Sequence, residues 1–87
     1  MDEPPRIEFP CSYPVKVIVQ TGPDVLDEIV RIVEGYDDSI SISTVTQKPS
    51  RLGNYVSVRF ELWATGEPQL QALFSELKKC KAVRMVL

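Results

Sequence analysis

Residues 21–33 read TGPDVLDEIVRIV and residues 65–77 read TGEPQLQALFSEL. Laid over one another at a constant offset of 44 positions, they match Leu26 to Leu70, Ile29 to Leu73, Val30 to Phe74 and Val33 to Leu77. Apolar residues at this spacing line one face of a helix, so the chain carries two helices of the same design. Thr21, followed three residues later by Asp24, suits an N-cap, and Pro23 fits an early helical position. Asp24, Asp27 and Glu28 sit where the helix dipole favours anions, so they read as helix-start chemistry rather than as a carboxylate active site. Gly35 is the expected stop of the first helix, and Lys78, Lys79 and Lys81 complement the end of the second.

Outward from the helices lie the strands. Residues 13–20 (YPVKVIVQ) are rich in β-branched side chains and have strand length. Residues 40–46 (ISISTVT) read as a second strand whose alternation falters near Ser43 and Thr44, as at a bulge or an edge. Residues 54–63 give the clearest alternation, with Val56, Val58, Phe60 and Leu62 on one face and Tyr55, Ser57, Arg59, Glu61 and Trp63 on the other. The closing KAVRMVL supplies a short last strand. Each half is therefore strand, Thr-Gly turn, helix, strand. Right-handed crossovers leave few ways to pack two helices on one sheet face. The expected fold is α+β, a ferredoxin-like βαββαβ sandwich with a four-stranded antiparallel sheet in the order 4-1-3-2. Residues 1–12 are expected to be a flexible N-terminal extension and residues 13–87 one domain. The expected core takes in Val15, Val17, Leu26, Ile29, Val30, Val33, Val56, Val58, Phe60, Leu62, Leu70, Leu73, Phe74, Leu77, Val83 and Met85.

Composition narrows the function classes. Eighty-seven residues suffice for one core and no second domain. Ten Lys and Arg against twelve Asp and Glu give a net charge of −2, whereas nucleic-acid-binding domains draw affinity from a basic excess. The absence of histidine removes the commonest general base, neutral-pH switch and zinc ligand together. Ser, Tyr and Lys are present, but no recognisable nucleophile and base pair emerges from their spacing, so no enzyme is expected. Cys11 and Cys80 lack CxxC spacing and read as reduced thiols, with no metal site. No apolar run reaches membrane-spanning length, and the acidic, proline-rich start MDEPPRIEF lacks the regions of a signal peptide. A cytoplasmic location is expected.

Residues 47–55, QKPSRLGNY, pose the sharpest functional question. A phosphate loop of the Walker type needs GxxxxGK[ST] between strand and helix; here the pattern is absent and a strand follows. An RNA-recognition module shares this topology but stacks bases on central aromatics of its third strand. This chain places only Tyr55 and Trp63 on that face, at its two ends, with Ser57, Arg59 and Glu61 between, which weighs against single-stranded RNA. The stretch reads as a hairpin loop punctuated by Pro49 and Gly53.

KPSxxGNY at 48–55, SV at 57–58, VRMVL at 83–87, and FP at 9–10 followed by Tyr13 and Lys16 together resemble the YbeD-like family of small bacterial proteins. The resemblance spans nearly the whole chain. It implies a cytosolic protein with a ferredoxin-like, ACT-like fold, similar to the small-molecule-sensing domains of amino-acid biosynthetic enzymes, and a proposed regulatory link to lipoate metabolism. ACT domains hold their ligand near the first strand–helix turn with a D-x-P-G-x-L-like signature. This chain reads QTGPDVL at 20–26, with glycine and proline reversed and the leading aspartate absent, which favours a plain tight turn at Gly22.

Parity puts Lys16, Arg59 and Arg84 together on the solvent face of three adjacent strands, with Tyr55, Trp63, Ile18 and Val86 as apolar surface around them. Clustered cations on a partly apolar platform favour a carboxylate or phosphate; the plain alternative is a solvated face with ordinary cross-strand partners. Gly22 and the loop residues Lys48 and Arg51 are the other candidate binding positions. The expected function is a free-standing ACT-like regulatory or small-molecule-binding domain, with an adaptor that docks a protein on its open sheet face as the alternative. The expected partner is an anionic metabolite or protein. No cofactor and no membrane contact are expected.

Overall fold

The structure is a computed structural model that describes residues 8–87. The first seven residues of the expected extension lie outside the described residues. In chain order the elements are β1 (Cys11–Gln20), α1 (Val25–Glu34), β2 (Thr46–Pro49), β3 (Tyr55–Ala64), α2 (Glu67–Lys79) and β4 (Val83–Val86). The sheet order is β2-β3-β1-β4 with every neighbour antiparallel, which is the expected 4-1-3-2 ferredoxin-like arrangement. β1 and β3 form the spine, paired from Cys11↔Ala64 to Gln20↔Tyr55.

β1 starts at Cys11 rather than Tyr13, and Phe9 packs against the core. Pro14 sits inside this central strand without disrupting it. The amides of Lys16 and Gln20 point to the β4 side, bonding Leu87 O and Ala82 O, so the even positions of β1 face that way. Pro14 lies beyond Leu87, where, among the described residues, β1 has no neighbour on that side and a missing N–H breaks no ladder bond.

The alternating faces then meet the helices. Val15, Val17 and Val19 of β1 and Val58, Phe60 and Leu62 of β3 are buried against Ile29 and Val33 of α1 and Leu70, Leu73 and Leu77 of α2. Leu26, Val56, Phe74 and Val83 are partly buried at the margin of this cluster. Ile40, Ala64 and Cys80 complete it.

Three expectations are corrected. The second strand is Thr46–Pro49, not residues 40–46. Ile40 anchors in the core, and the hydroxyl-rich residues after it turn back on themselves: Ser41 N donates to Thr44 Oγ1 at 2.8 Å and Thr44 Oγ1 donates to Ser41 O at 3.0 Å. Such local side-chain bonds compete with a ladder, and here they win. Thr21 does not cap α1. Its hydroxyl donates to Gly53 O at 2.7 Å and its N–H to Asn54 O at 2.9 Å, which ties the β1–α1 turn to the β2–β3 loop. Asp24 holds the N-cap position without a side-chain cap bond.

The third correction is in β4. Val17 pairs with Val86, Ile18 with Met85, and Val19 with Val83, so Arg84 is an extra residue in a bulge. A bulge exchanges faces for the residues beyond it. Val86 therefore faces the core, and Met85, expected in the core, stands on the open face with 51% of its surface exposed.

Candidate functional site

Among the described residues, no element covers the face of the sheet opposite the helices. Lys16 is directly opposite Arg59 in the β1–β3 register, and Thr46 of β2 is opposite Arg59 on its other side. Paired positions share a face, so the ammonium, the guanidinium and the threonine hydroxyl lie in one row across three strands. Pro14 and Glu61 form the next row, and Ser12 donates its hydroxyl to the Glu61 carboxylate. Leu87, bonded to Lys16 through both backbone groups, closes the row on the β4 side. Pro14, Lys16, Thr46, Arg59, Glu61 and Leu87 line an open groove of about 620 Å³.

The expected three-cation stripe is therefore divided. Lys16 and Arg59 share the groove, whereas Arg84 Nη2 donates to Gln20 Oε1 at 2.7 Å. Gln20 is four residues along β1 from Lys16, about 13 Å at strand rise. The bulge carries Arg84 away from the other two cations. Tyr55 pairs with Gln20 and belongs to this second group, while Trp63, opposite Ser12, is at the far end of β3. Ile18 and Met85 pair on the open face between the groove and Arg84, and Val86, expected there, is on the other side.

Of the remaining candidates, Lys48 pairs with Ser57 on the edge strand. Arg51 is exposed in the loop at 50–54, whose turn is closed by Ser50 N to Tyr55 O (2.8 Å), Tyr55 N to Ser50 Oγ (3.1 Å) and Gly53 N to Ser50 O (3.0 Å). Gly53 has φ +75°, a left-handed conformation that side-chain-bearing residues disfavour. The KPSxxGNY pattern is thus a hydrogen-bonded hairpin turn. Gly22 lines a separate recess of about 140 Å³ on the helix side with Val25, Leu26, Gln47 and Val56. A Cβ there would stand 3.0 Å from Val25 Cγ2, which accounts for the glycine by close packing.

Sequence reading missed Thr46, Pro14 and Leu87 as groove residues. Thr46 was expected at the end of the wrong strand; the cluster of hydroxyls at 41–44 is the signal that moves the strand forward.

At the far end of β3, Asp37 accepts from Trp63 N at 2.9 Å, Ser39 N at 3.0 Å and Ser39 Oγ at 2.6 Å. Burial raises the Asp37 carboxyl, but these hydrogen bonds outweigh it and hold the group below the usual aspartate value. Gln69 bridges the same end, accepting from Thr65 N and donating to Tyr36 O and Trp63 O. Both side chains bond the backbone where β3 outruns β2.

The fold and face define a small ferredoxin-like domain that carries paired cations on the sheet face opposite its helices. Residues 4–87 match a family described as a protein of unknown function, DUF493. The chain is 42% identical over 85 residues to a UPF0250 protein of Hahella chejuensis, covering 98% of this chain and 93% of that one. It is 38% identical over 86 residues to a UPF0250 protein of Ectopseudomonas mendocina, covering 98% and 94%. A UPF0250 protein of Leptothrix cholodnii is 37% identical over 81 residues, covering 93% and 89%. The chain belongs to the DUF493 family of small bacterial proteins, the YbeD-like group its motifs resemble.

Proposed function

We propose that this chain is a small-molecule-binding regulatory domain that takes an anionic metabolite on its open sheet face. The observation that carries the reading is the Lys16–Arg59 pair in the groove. Like charges directly opposite on adjacent strands repel, so the pair is a local liability unless something anionic sits between them. Thr46, whose hydroxyl donates to Arg59 O at 3.4 Å, lies beside them, and Pro14 and Leu87 add apolar wall, the mixture of few polar groups and apolar lining that small-molecule sites favour.

An acidic protein docking on the same cations is the competing reading. Native mass spectrometry of protein purified gently from bacterial cells separates the two. The proposal expects a copurifying compound that carries a carboxylate or phosphate and is absent from the Lys16→Gln/Arg59→Gln protein. A polypeptide retained by wild type and lost from the double variant favours the adaptor. Wild type that carries neither, at low salt, argues against the face as a site.

A further inference from the structure

Two exposed apolar side chains stand at opposite ends of β3, and their surroundings are complementary. Leu52, 82% exposed, lies in the hairpin tip next to exposed Arg51, with exposed Lys48 on the strand that leads into it. The turn beneath it is fixed by the Ser50–Tyr55 bonds and by Thr21 on Gly53 O, so Leu52 is held outward without further ordering. Trp63, 53% exposed, borders a recess of about 370 Å³ whose lining carries Glu34, Asp37 and Asp38 and, among the described residues, no Lys or Arg. Tip and recess are separated by about 30 Å of strand and loop, in a molecule 46 Å long.

The sheet edges do not offer an easier route to association. β2 is short and ends in Lys48 and Pro49, and β4 has four residues with a bulge at Arg84. Both are devices that blunt edge-to-edge pairing.

We infer that the hairpin tip of one copy seats in the Trp63 recess of a second copy, Leu52 against the indole and Arg51 and Lys48 against Glu34 and Asp38. Each copy carries one tip and one recess about 30 Å apart; used one per neighbour, as inferred here, they make a heterologous contact that adds copies head to tail. It is independent of the groove on the open face. The small area of a tip in a recess makes it a weak contact that forms at high protein concentration and low salt.

Sedimentation equilibrium and tryptophan emission over a concentration series test it, since Trp63 is the single tryptophan. The expected result is a weight-average mass that climbs past twice that of the protomer, with emission moving to shorter wavelength as the indole is covered and both changes reversed by 0.5 M salt, where the Debye length is only ~4 Å. Leu52→Asp and Asp38→Lys should each remain monomeric with wild-type circular dichroism. Mixed in equal amounts they should form a species that stops at two copies, because one supplies the recess and the other the tip. Wild type that stays monomeric to millimolar concentration overturns the inference. So does a dimer unaffected by Leu52→Asp, or a mixture that fails to associate.

Discussion

Removing either cation of the Lys16–Arg59 pair should relieve strain in the free protein. Directly opposed residues of an antiparallel pair, as Lys16 and Arg59 are, have Cα atoms about 4.5–5.5 Å apart, and a separation of roughly 6 Å between the charged heads is taken for the magnitude. Two unit charges at that distance in water repel by about 0.7 kcal/mol, within the ~0.2–1 kcal/mol range of cross-strand pairs. A double-mutant cycle with Lys16→Gln and Arg59→Gln isolates this quantity from the packing of each stem. Urea unfolding at low ionic strength should return a repulsive coupling of ~0.3–0.7 kcal/mol, shrinking towards zero in 1 M salt as the Debye length falls to about 3 Å. An attractive coupling, or a repulsion that grows with salt, would refute the reasoning. The first outcome would mean that Glu61 or another neighbour already neutralises the pair, leaving the groove no unanswered charge for a ligand.

Leu73 is fully buried whereas Phe74 is only partly so, and thermal or urea unfolding should rank them accordingly. Leu73→Ala should cost ~2–5 kcal/mol and Phe74→Ala less, despite the larger ring. The carboxyl of Asp37 titrates lower in the folded chain than in the unfolded one, so its contribution is present above the unfolded value and lost as pH falls through the folded one. Asp37→Asn should lower stability by ~1 kcal/mol near neutrality and flatten the acid limb of a stability–pH curve, whereas an unchanged limb would assign acid sensitivity to other carboxylates. Cys11 and Cys80 are both free, and the paired registers place them towards opposite ends of the sheet. Thiol titration should count two thiols per unfolded chain, with half-buried Cys11 reacting ahead of buried Cys80 in the native protein.

The fold was legible because its two signals are strong and repeated. The Leu26/Leu70 and Val33/Leu77 correspondences fix two equivalent helices, and the alternation from Tyr55 to Trp63 fixes a half-buried strand. What escaped the sequence lies where backbone and side-chain hydrogen bonds decide. Ser41 and Thr44 turn a β-rich run into a loop, and Thr21 leaves the helix it was expected to cap to hold the Gly53 carbonyl across the chain. The bulge at Arg84 has no marker in VRMVL, yet it moves Met85 to solvent and separates Arg84 from its expected companions. Half of the candidate site was visible for the same reason that half was not. Strand parity holds along the unbroken β1–β3 pair and places Lys16 beside Arg59, but it fails as soon as one residue is inserted into a ladder.

The central claim, that the Lys16–Arg59 groove receives an anion, is tested most directly by following backbone amide shifts of labelled protein during titration with acetate and with inorganic phosphate at low ionic strength. Saturable shifts centred on Lys16, Thr46, Arg59 and Glu61 are expected, abolished in the Lys16→Gln/Arg59→Gln protein while its remaining spectrum stays that of the folded chain. Shifts centred on the Gly22 turn or the 50–54 loop, or equal shifts in the double variant, would contradict it.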